Sequence, residues 1–270
     1  MLVNFNTLRE MQSHGVTDLL STLRVVEINP IDACNRSCSF CPRSIKEYSA
    51  NKIKLSLDTI KKIATDLQEI SFDGRISFAG FGEPTLYKHL IESISIIRST
   101  VPTAKYIEII TNGDLLTKPM VAELETAGCT NVTISMYDYD KTAIIAPLFE
   151  NTSIQLTLKD SYNGFAMVNR TEIFSESATL YKQKECYLPF YKMFIDTDGN
   201  VILCANDWKR TSIIGNVLDE TIQAIWLGEG YKQYRQHLLQ QTRDLIPCKF
   251  CNIDGTLYGR ASFIKWSTND

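Results

Sequence analysis

The sequence predicts an α/β protein: a partial (β/α)6 barrel of the TIM type followed by a small C-terminal α+β module. Two observations carry this. From about Arg24 onward, short β-branched runs alternate with amphipathic helical stretches, the rhythm of parallel strands joined by crossover helices. After about Thr171 that rhythm gives way to a hairpin pattern, a helical stretch and a cysteine-bearing loop. The expected division is an N-terminal extension over 1–23, the barrel over 24–170, and the smaller module with its tail over 171–270.

The expected barrel strands are Val25 to Ile28, Arg75 to Phe78, Tyr106 to Ile110, Asn131 to Ser135, Ser153 to Thr157 and Phe165 to Val168. Six such strands fall short of the eight that close a barrel, so the barrel should be open. The first helix should begin at Ser56, a good cap, and place Ile60, Ile63, Leu67 and Ile70 on one face. Further helices are expected over Leu86 to Ile97, Lys118 to Ala127 and Lys141 to Leu148. In the second module, Phe190 to Asp196 and Val201 to Cys204 flank the turn Asp198-Gly199-Asn200 and read as a β-hairpin. A single helix over Thr221 to Leu239 should follow.

With 270 residues, 44% hydrophobic and 22% charged, the chain can bury a sizeable core. The net charge of -3, with both signs interspersed, offers no basic stripe for nucleic acid and no polybasic membrane anchor. No apolar run approaches the roughly 20 residues of a membrane helix, and a cytoplasmic protein is expected. His14, His89 and His237 are scattered, without metal-spaced partners.

Eight cysteines are too few for a disulfide scaffold in a chain of this length, so their grouping matters more than their number. Cys34, Cys38 and Cys41 spell CxxxCxxC directly after the first strand, at the barrel end where active-site loops gather. A structural zinc site takes four protein ligands, whereas this loop offers three. Three thiolates would leave one iron of a 4Fe–4S cube open to a substrate or cofactor. Cys186, Cys204, Cys248 and Cys251 form a complete set of four, which suits either zinc or an iron–sulfur cluster. Cys129 stands alone and reads as a small buried hydrophobe.

The triplet, with aromatic Phe40 before its last cysteine, resembles the signature of the radical S-adenosylmethionine superfamily. Gly80-Phe81-Gly82-Glu83-Pro84 after the second strand is similar to that family's GGEP motif, with Phe81 at a usual glycine. The resemblance implies that S-adenosylmethionine chelates the open iron of a first 4Fe–4S cluster and is cleaved to a 5'-deoxyadenosyl radical. It also implies that Phe40, Gly82 and Glu83 contact the cofactor, with Glu83 accepting from the methionyl ammonium. Asn112 of Thr111-Asn112-Gly113 and Ser135 look like the family's ribose-side contacts.

The last four cysteines resemble the shortened auxiliary-cluster module called a twitch domain, related to the SPASM domain, and so imply a second 4Fe–4S cluster. A fully ligated cluster has no vacancy for substrate, which favours electron transfer and hence oxidation. Nearly the whole chain, Val25 to Asn252, looks like the aminocyclitol-oxidising members of the family in aminoglycoside biosynthesis. That implies a dehydrogenase converting an alcohol of a small polar substrate, a sugar or aminocyclitol, to a ketone. An electron donor such as flavodoxin or ferredoxin would be needed.

Arg170 matches a substrate-contacting arginine of those enzymes, and its alternative is an ion pair with a carboxylate such as Glu172. Asn206 and Asp207 stand where those members carry a substrate-binding glutamate, although Asp207 could equally cap the loop before Trp208. The competing reading for the whole chain is radical modification of a ribosomally made peptide.

Overall fold

The computed structural model describes residues 16–161 and 185–268. Five parallel strands open the fold: Val25–Ile28 (β1), Arg75–Phe78 (β2), Tyr106–Thr111 (β3), Asn131–Met136 (β4) and Gln155–Asp160 (β5). Between them lie helices Leu57–Glu69 (α1), Leu90–Thr100 (α2), Lys118–Thr126 (α3) and the short Thr142–Ile145 (α4). The C-terminal part adds Leu188–Tyr191 (α5), Lys192–Ile195 (β6), Asn200–Ile202 (β7) and Ile213–Asn216 (β8). Helices Ile222–Leu227 (α6), Glu229–Leu239 (α7) and Arg260–Ser267 (α8) complete it.

All eight strands form one sheet in the order β5-β4-β3-β2-β1-β6-β7-β8. The strands β1 to β5 pair in parallel, and β6 adds in parallel to the other side of β1, from Val25↔Lys192 to Ile28↔Ile195. The hairpin turns back from there, with β7 antiparallel to β6 and β8 antiparallel to β7. The auxiliary hairpin is thus a continuation of the barrel sheet.

Alternation along each strand sorts its residues by face. Val26, Ile28, Ile76, Phe78, Ile107, Ile109, Val132 and Ile134 are fully buried in one cluster with Ile60, Ile63 and Leu67 of α1. Burying each such side chain contributes roughly 1.5–3 kcal/mol. The opposite, inward positions are polar: Arg75 Nη1 lies 3.1 Å from Glu108 Oε2, and Glu108 accepts from Ser77 (3.2 Å) and Thr133 (2.6 Å). A buried carboxylate is costly unless paired, and here the two flanking strands, β2 and β4, supply its partners.

The first helix is capped as its sequence demands, with Ser56 Oγ accepting from Thr59 N at 3.0 Å. Several boundaries shift for local reasons. The expected Leu86 start becomes Leu90, because Pro84–Leu86 forms a separate 3₁₀ turn. Pro147 converts the fourth helix to one α turn followed by a 3₁₀ turn over Ala146–Phe149. The fifth strand begins two residues later than expected, at Gln155. The helix expected over Thr221 to Leu239 breaks at Gly228, whose backbone is extended (φ -76°, ψ 169°). A Cβ there would lie 2.7 Å from the Ala224 carbonyl. The expected sixth barrel strand, Phe165 to Val168, and Arg170 lie outside the described residues, as does the expected division near 170.

The C-terminal helices are moored to the start of β1. Trp226 Nε1 and Trp266 Nε1 both donate to Thr22 Oγ1, at 3.1 and 2.9 Å. Between the two indoles sits the buried Arg235 guanidinium, 4.1 and 4.0 Å from their ring centroids. No helix among the described residues is long and apolar enough to cross a membrane.

Candidate active site

The C-terminal end of β5 and the loops that follow β1 to β4 line a cavity of about 240 Å³ that brings together Cys34, Cys38, Phe40, Cys41, Gly82, Glu83, Asn112 and Ser135. These are the residues that the sequence placed on four separate strands. Chain geometry explains the convergence, since parallel strands deliver their C-terminal loops to one end.

The cysteine loop is held by contacts from its own residues. Cys41 N donates to the Cys38 carbonyl (2.9 Å), and Arg36 N points at Cys34 Sγ (3.4 Å). Partial burial pushes the Cys34 and Cys38 thiols up from their ordinary values. Arg36, lying between the cysteines, grips Asp114 through Nε (2.5 Å) and Nη2 (2.8 Å) and reaches Asp138 through Nη1 (2.5 Å). This fork holds the Asp114 carboxyl down to about 2. The Lys141 ammonium joins the same carboxylate.

The segment Gly80 to Pro84 shows which of its positions require glycine. A Cβ on Gly82 would lie 2.1 Å from the Ile31 carbonyl and 2.6 Å from that of Ala33, so only glycine allows this loop against the cysteine loop. Gly80 has φ +149° and presses on the Asn29 side chain. Phe81, at the departure from the family pattern, lines the cavity and packs its ring on Phe194 (5.0 Å) and Trp208 (4.4 Å). A side chain is therefore accommodated at 81 and excluded at 82.

Glu83, 3% exposed, ties three segments together. Its Oε1 accepts from Thr85 N (3.1 Å), Thr85 Oγ1 (2.7 Å) and Thr111 Oγ1 (2.5 Å), while Oε2 accepts from Asn112 N (2.9 Å). With one donor on Oε2, that oxygen retains capacity for a second, such as an ammonium. Asn112 bridges Asn35 Oδ1 (2.8 Å) and the Asp114 amide (2.9 Å). Phe40 lies against Tyr137 with ring centroids 5.0 Å apart, and both face the cavity with Ser135.

The four later cysteines converge as well. Cys186, Cys204, Cys248 and Cys251 line one small cavity of about 20 Å³ with Leu188, Pro189 and Ile253. Among the described residues no group of three or more His, Cys, Asp or Glu side chains is arranged to hold a single metal ion. Desolvation pushes Cys186 up to about 11 and raises Cys204 and Cys248 well above the ordinary thiol value. Backbone amides of Leu188 and Asn206 point at Cys186 and Cys204, two residues on in each case, as Arg36 N does at Cys34. Gly255 lies so near Cys186 that a Cβ would stand 2.2 Å from its sulfur. Arg243 clasps the set by donating to the carbonyls of Glu185 (2.7 Å), Cys251 (3.4 Å) and Ile253 (3.3 Å).

Asn206 and Asp207 are buried but are not among the residues lining the larger cavity. Asp207 holds its own loop: Oδ1 accepts from Thr211 N and Oγ1 (3.1 and 2.9 Å), and Oδ2 from Ser212 N and Oγ (2.8 and 2.6 Å). The Asp207 carboxylate thus caps the segment at Thr211 and Ser212, beyond Trp208. Sequence reasoning passed over Glu27, Tyr137, Lys159 and Trp208, which line the larger cavity. Strand alternation identifies Glu27 and Lys159 as inward-facing, but nothing in the local sequence ranks them above other strand residues.

Comparison with known proteins matches residues 28–157 to the profile of the radical SAM superfamily and residues 186–252 to that of the SPASM iron-sulfur cluster-binding domain. The chain carries a radical SAM domain followed by a SPASM iron–sulfur cluster-binding domain. Radical SAM proteins require S-adenosylmethionine and a 4Fe–4S cluster, and the SPASM domain adds an auxiliary iron–sulfur cluster.

Among curated relatives of this radical SAM chain is the S-adenosyl-L-methionine-dependent 2-deoxy-scyllo-inosamine dehydrogenase of Niallia circulans. It is 28% identical over 247 residues, covering 87% of this chain and 94% of that protein. The PqqA peptide cyclase of Bradyrhizobium diazoefficiens is 32% identical over 186 residues, covering 64% of this chain and 43% of that one. Among solved structures, BtrN in complex with AdoMet and 2-DOIA superposes with a TM-score of 0.75 at 23% identity, covering 88% of this chain and 96% of that one. The anSMEcpe structure with bound AdoMet and the Cp18Cys peptide gives 0.57 at 14% identity, covering 90% and 96%. At these identities the structural likeness is one of fold.

Proposed function

We propose that this radical SAM chain is a dehydrogenase that oxidises a secondary alcohol of a small polar substrate, a sugar or aminocyclitol, to a ketone. The observation that carries the reading is the contrast between two thiol sets. Cys34, Cys38 and Cys41 open on a cavity of about 240 Å³ shared with polar side chains, while Cys186, Cys204, Cys248 and Cys251 line a separate space of about 20 Å³.

In this reading the triplet holds the S-adenosylmethionine-binding 4Fe–4S cluster and the four later cysteines hold the auxiliary one. The donor sets suit such groups, being all sulfur with backbone N–H groups directed at Cys34, Cys186 and Cys204. When bound, these groups supply a 5'-deoxyadenosyl radical that removes one hydrogen atom and an acceptor for one electron.

The chain's own residues do the rest. Glu83 Oε2 receives the methionyl ammonium as a charge-assisted hydrogen bond. Phe40, Gly82, Asn112 and Ser135 shape the cofactor side of the cavity. Arg170 is proposed on the substrate side, while Asn206, buried behind the cavity lining, supports that side through the loop that Asp207 fixes. An electron donor of the flavodoxin or ferredoxin kind and a cytoplasmic location belong to the same proposal.

Anaerobic incubation with S-adenosylmethionine, dithionite and aminocyclitol candidates tests it. A ketone formed with one equivalent of 5'-deoxyadenosine is expected, and cofactor cleavage without any oxidised alcohol would sink the reading. A second reading, modification of a ribosomally made peptide, is supported by a groove of about 520 Å³ beside the cavity, the two sharing Trp208. It predicts a mass change in a co-produced precursor peptide.

A further inference from the structure

Neither thiol set accounts for a buried charge network that lies between them. Its centre is Arg210, six residues beyond Cys204, with a left-handed backbone (φ +53°) that a non-glycine residue rarely adopts. Two turns bring it there: Asp207 N donates to the Cys204 carbonyl (3.1 Å) and Arg210 N to the Asp207 carbonyl (3.0 Å). The Asp207 carboxylate then stiffens the loop by capping Thr211 and Ser212.

Arg210 spends its guanidinium on two separate elements. Its Nε donates to Asp196 Oδ2 (2.5 Å), just beyond β6, and its Nη2 to Asp32 Oδ2 (2.8 Å), two residues before Cys34. Both carboxylates are essentially inaccessible to solvent. Asp32 also accepts from Arg43 (2.6 Å), two residues after Cys41, from Tyr48 (2.8 Å) and from Asn51 N (2.8 Å). One carboxylate thereby clamps the cysteine triplet at both of its ends. Asp196 accepts in addition from Asn29 (2.7 Å). The plane of Arg210 lies over Phe81, 4.7 Å from its centroid, inside the segment that packs on the cysteine loop.

We infer that Arg210 is a positioning residue that latches the loop following Cys204 onto the loop carrying Cys34, Cys38 and Cys41, fixing the cavity wall made by Phe81, Ala205 and Trp208. The fork geometry is the reason for arginine: a planar guanidinium reaches two carboxylates on different elements while stacking on a ring, and an ammonium does not. With the latch broken, each thiol set keeps its sulfurs but the wall between them loses its anchor, and hydrogen abstraction is expected to uncouple from product formation.

The test compares wild type with Arg210→Gln and Arg210→Lys. Hydrogen–deuterium exchange on the chain without its clusters is expected to rise at least tenfold in two segments together, about 30–49 and 204–212, with α1 and α2 unchanged. In the reconstituted protein, iron content should hold while 5'-deoxyadenosine released per ketone rises at least fivefold. Lysine keeps the buried charge but not the fork, so the same localised exchange is expected at smaller amplitude, which also decides the matter if the glutamine variant does not fold. Exchange rising uniformly over the whole chain would make Arg210 a stability residue only, and exchange confined to 204–212 would show that it does not latch the cysteine loop; either overturns the inference. The exchange measurement needs no turnover, so its outcome is independent of whether the wild-type chain oxidises an alcohol.

Discussion

Arg36 holds Asp114 in a two-pronged grip, Nε and Nη2 meeting Oδ2 and Oδ1 at 2.5 and 2.8 Å. The arginine sits between the first two cysteines and lines the cavity, and the aspartate follows β3, so the pair ties the cysteine loop to the end of that strand. Bidentate pairs of this kind fix orientation as well as distance.

Asp114→Asn should therefore loosen the cysteine loop at a cost of about 2 kcal/mol at neutral pH. The carboxyl is depressed to about 2, so its contribution is complete above the unfolded value near 4 and is lost as pH falls through the folded value. Urea unfolding of the cluster-free chain should show the wild-type advantage over Asp114→Asn intact from pH 8 to 5 and narrowing from pH 5 toward 3. An advantage independent of pH would remove the charge from the explanation.

Gly82 and Phe81 should respond in opposite ways to exchange of size. Gly82→Ala forces a methyl to 2.1 Å from the Ile31 carbonyl, where backbone has to move. The expected result is loss of at least about 3 kcal/mol, or no soluble protein, together with loss of iron at the triplet. Phe81→Gly restores the family's usual residue but empties an aromatic contact, at about 3–5 kcal/mol by the scale of buried Phe truncation. Its soluble fraction should still take up iron at the triplet, as measured by iron and sulfide content.

Glu83→Gln keeps the size of the side chain and replaces one acceptor oxygen by a donor amide. With Thr85, Thr111 and Asn112 all donating to the carboxylate, one contact becomes donor against donor, costing about 1–3 kcal/mol. Affinity for S-adenosylmethionine should fall at least tenfold by calorimetry on the reconstituted protein. Unchanged affinity would dissociate Glu83 from the cofactor and leave it a purely structural tie.

The later cysteines predict an alkaline weakness of the cluster-free chain. Burial raises Cys186 to about 11, so the neutral thiol is favoured by folding. A raised folded value means the contribution is fully present below the unfolded value near 9 and is lost as pH rises through about 11. The melting temperature of the cluster-free chain should fall between pH 9 and 11, and Cys186→Ala should flatten that fall.

How much of this was legible depended on how local the cause is. The first two strands, the Ser56 cap and the grouping of the cysteines could be read because a short sequence determines them: Val25–Ile28 and Arg75–Phe78 coincide with their expected limits, whereas the next three strands run one to three residues further. That Phe81 is tolerated and Gly82 is not could not be read, because the clash is with Ile31 and Ala33, some fifty residues earlier. The pairing of β6 with β1 was equally hidden, as a hairpin pattern says nothing about which sheet it joins. The break at Gly228 was available in the sequence, but the apolar periodicity on both sides of it outweighed one glycine.

The register of β6 on β1 has a consequence for any attempt to graft one auxiliary module in place of another. A chain cut between the two would leave β1, in the middle of the sheet, as a raw edge with its backbone groups offered to the nearest strand of any neighbour. A workable exchange point therefore lies beyond Ile195, with Lys192–Ile195 retained opposite Val25–Ile28. What looks in sequence like an appended module is, in its first strand, common property of both halves.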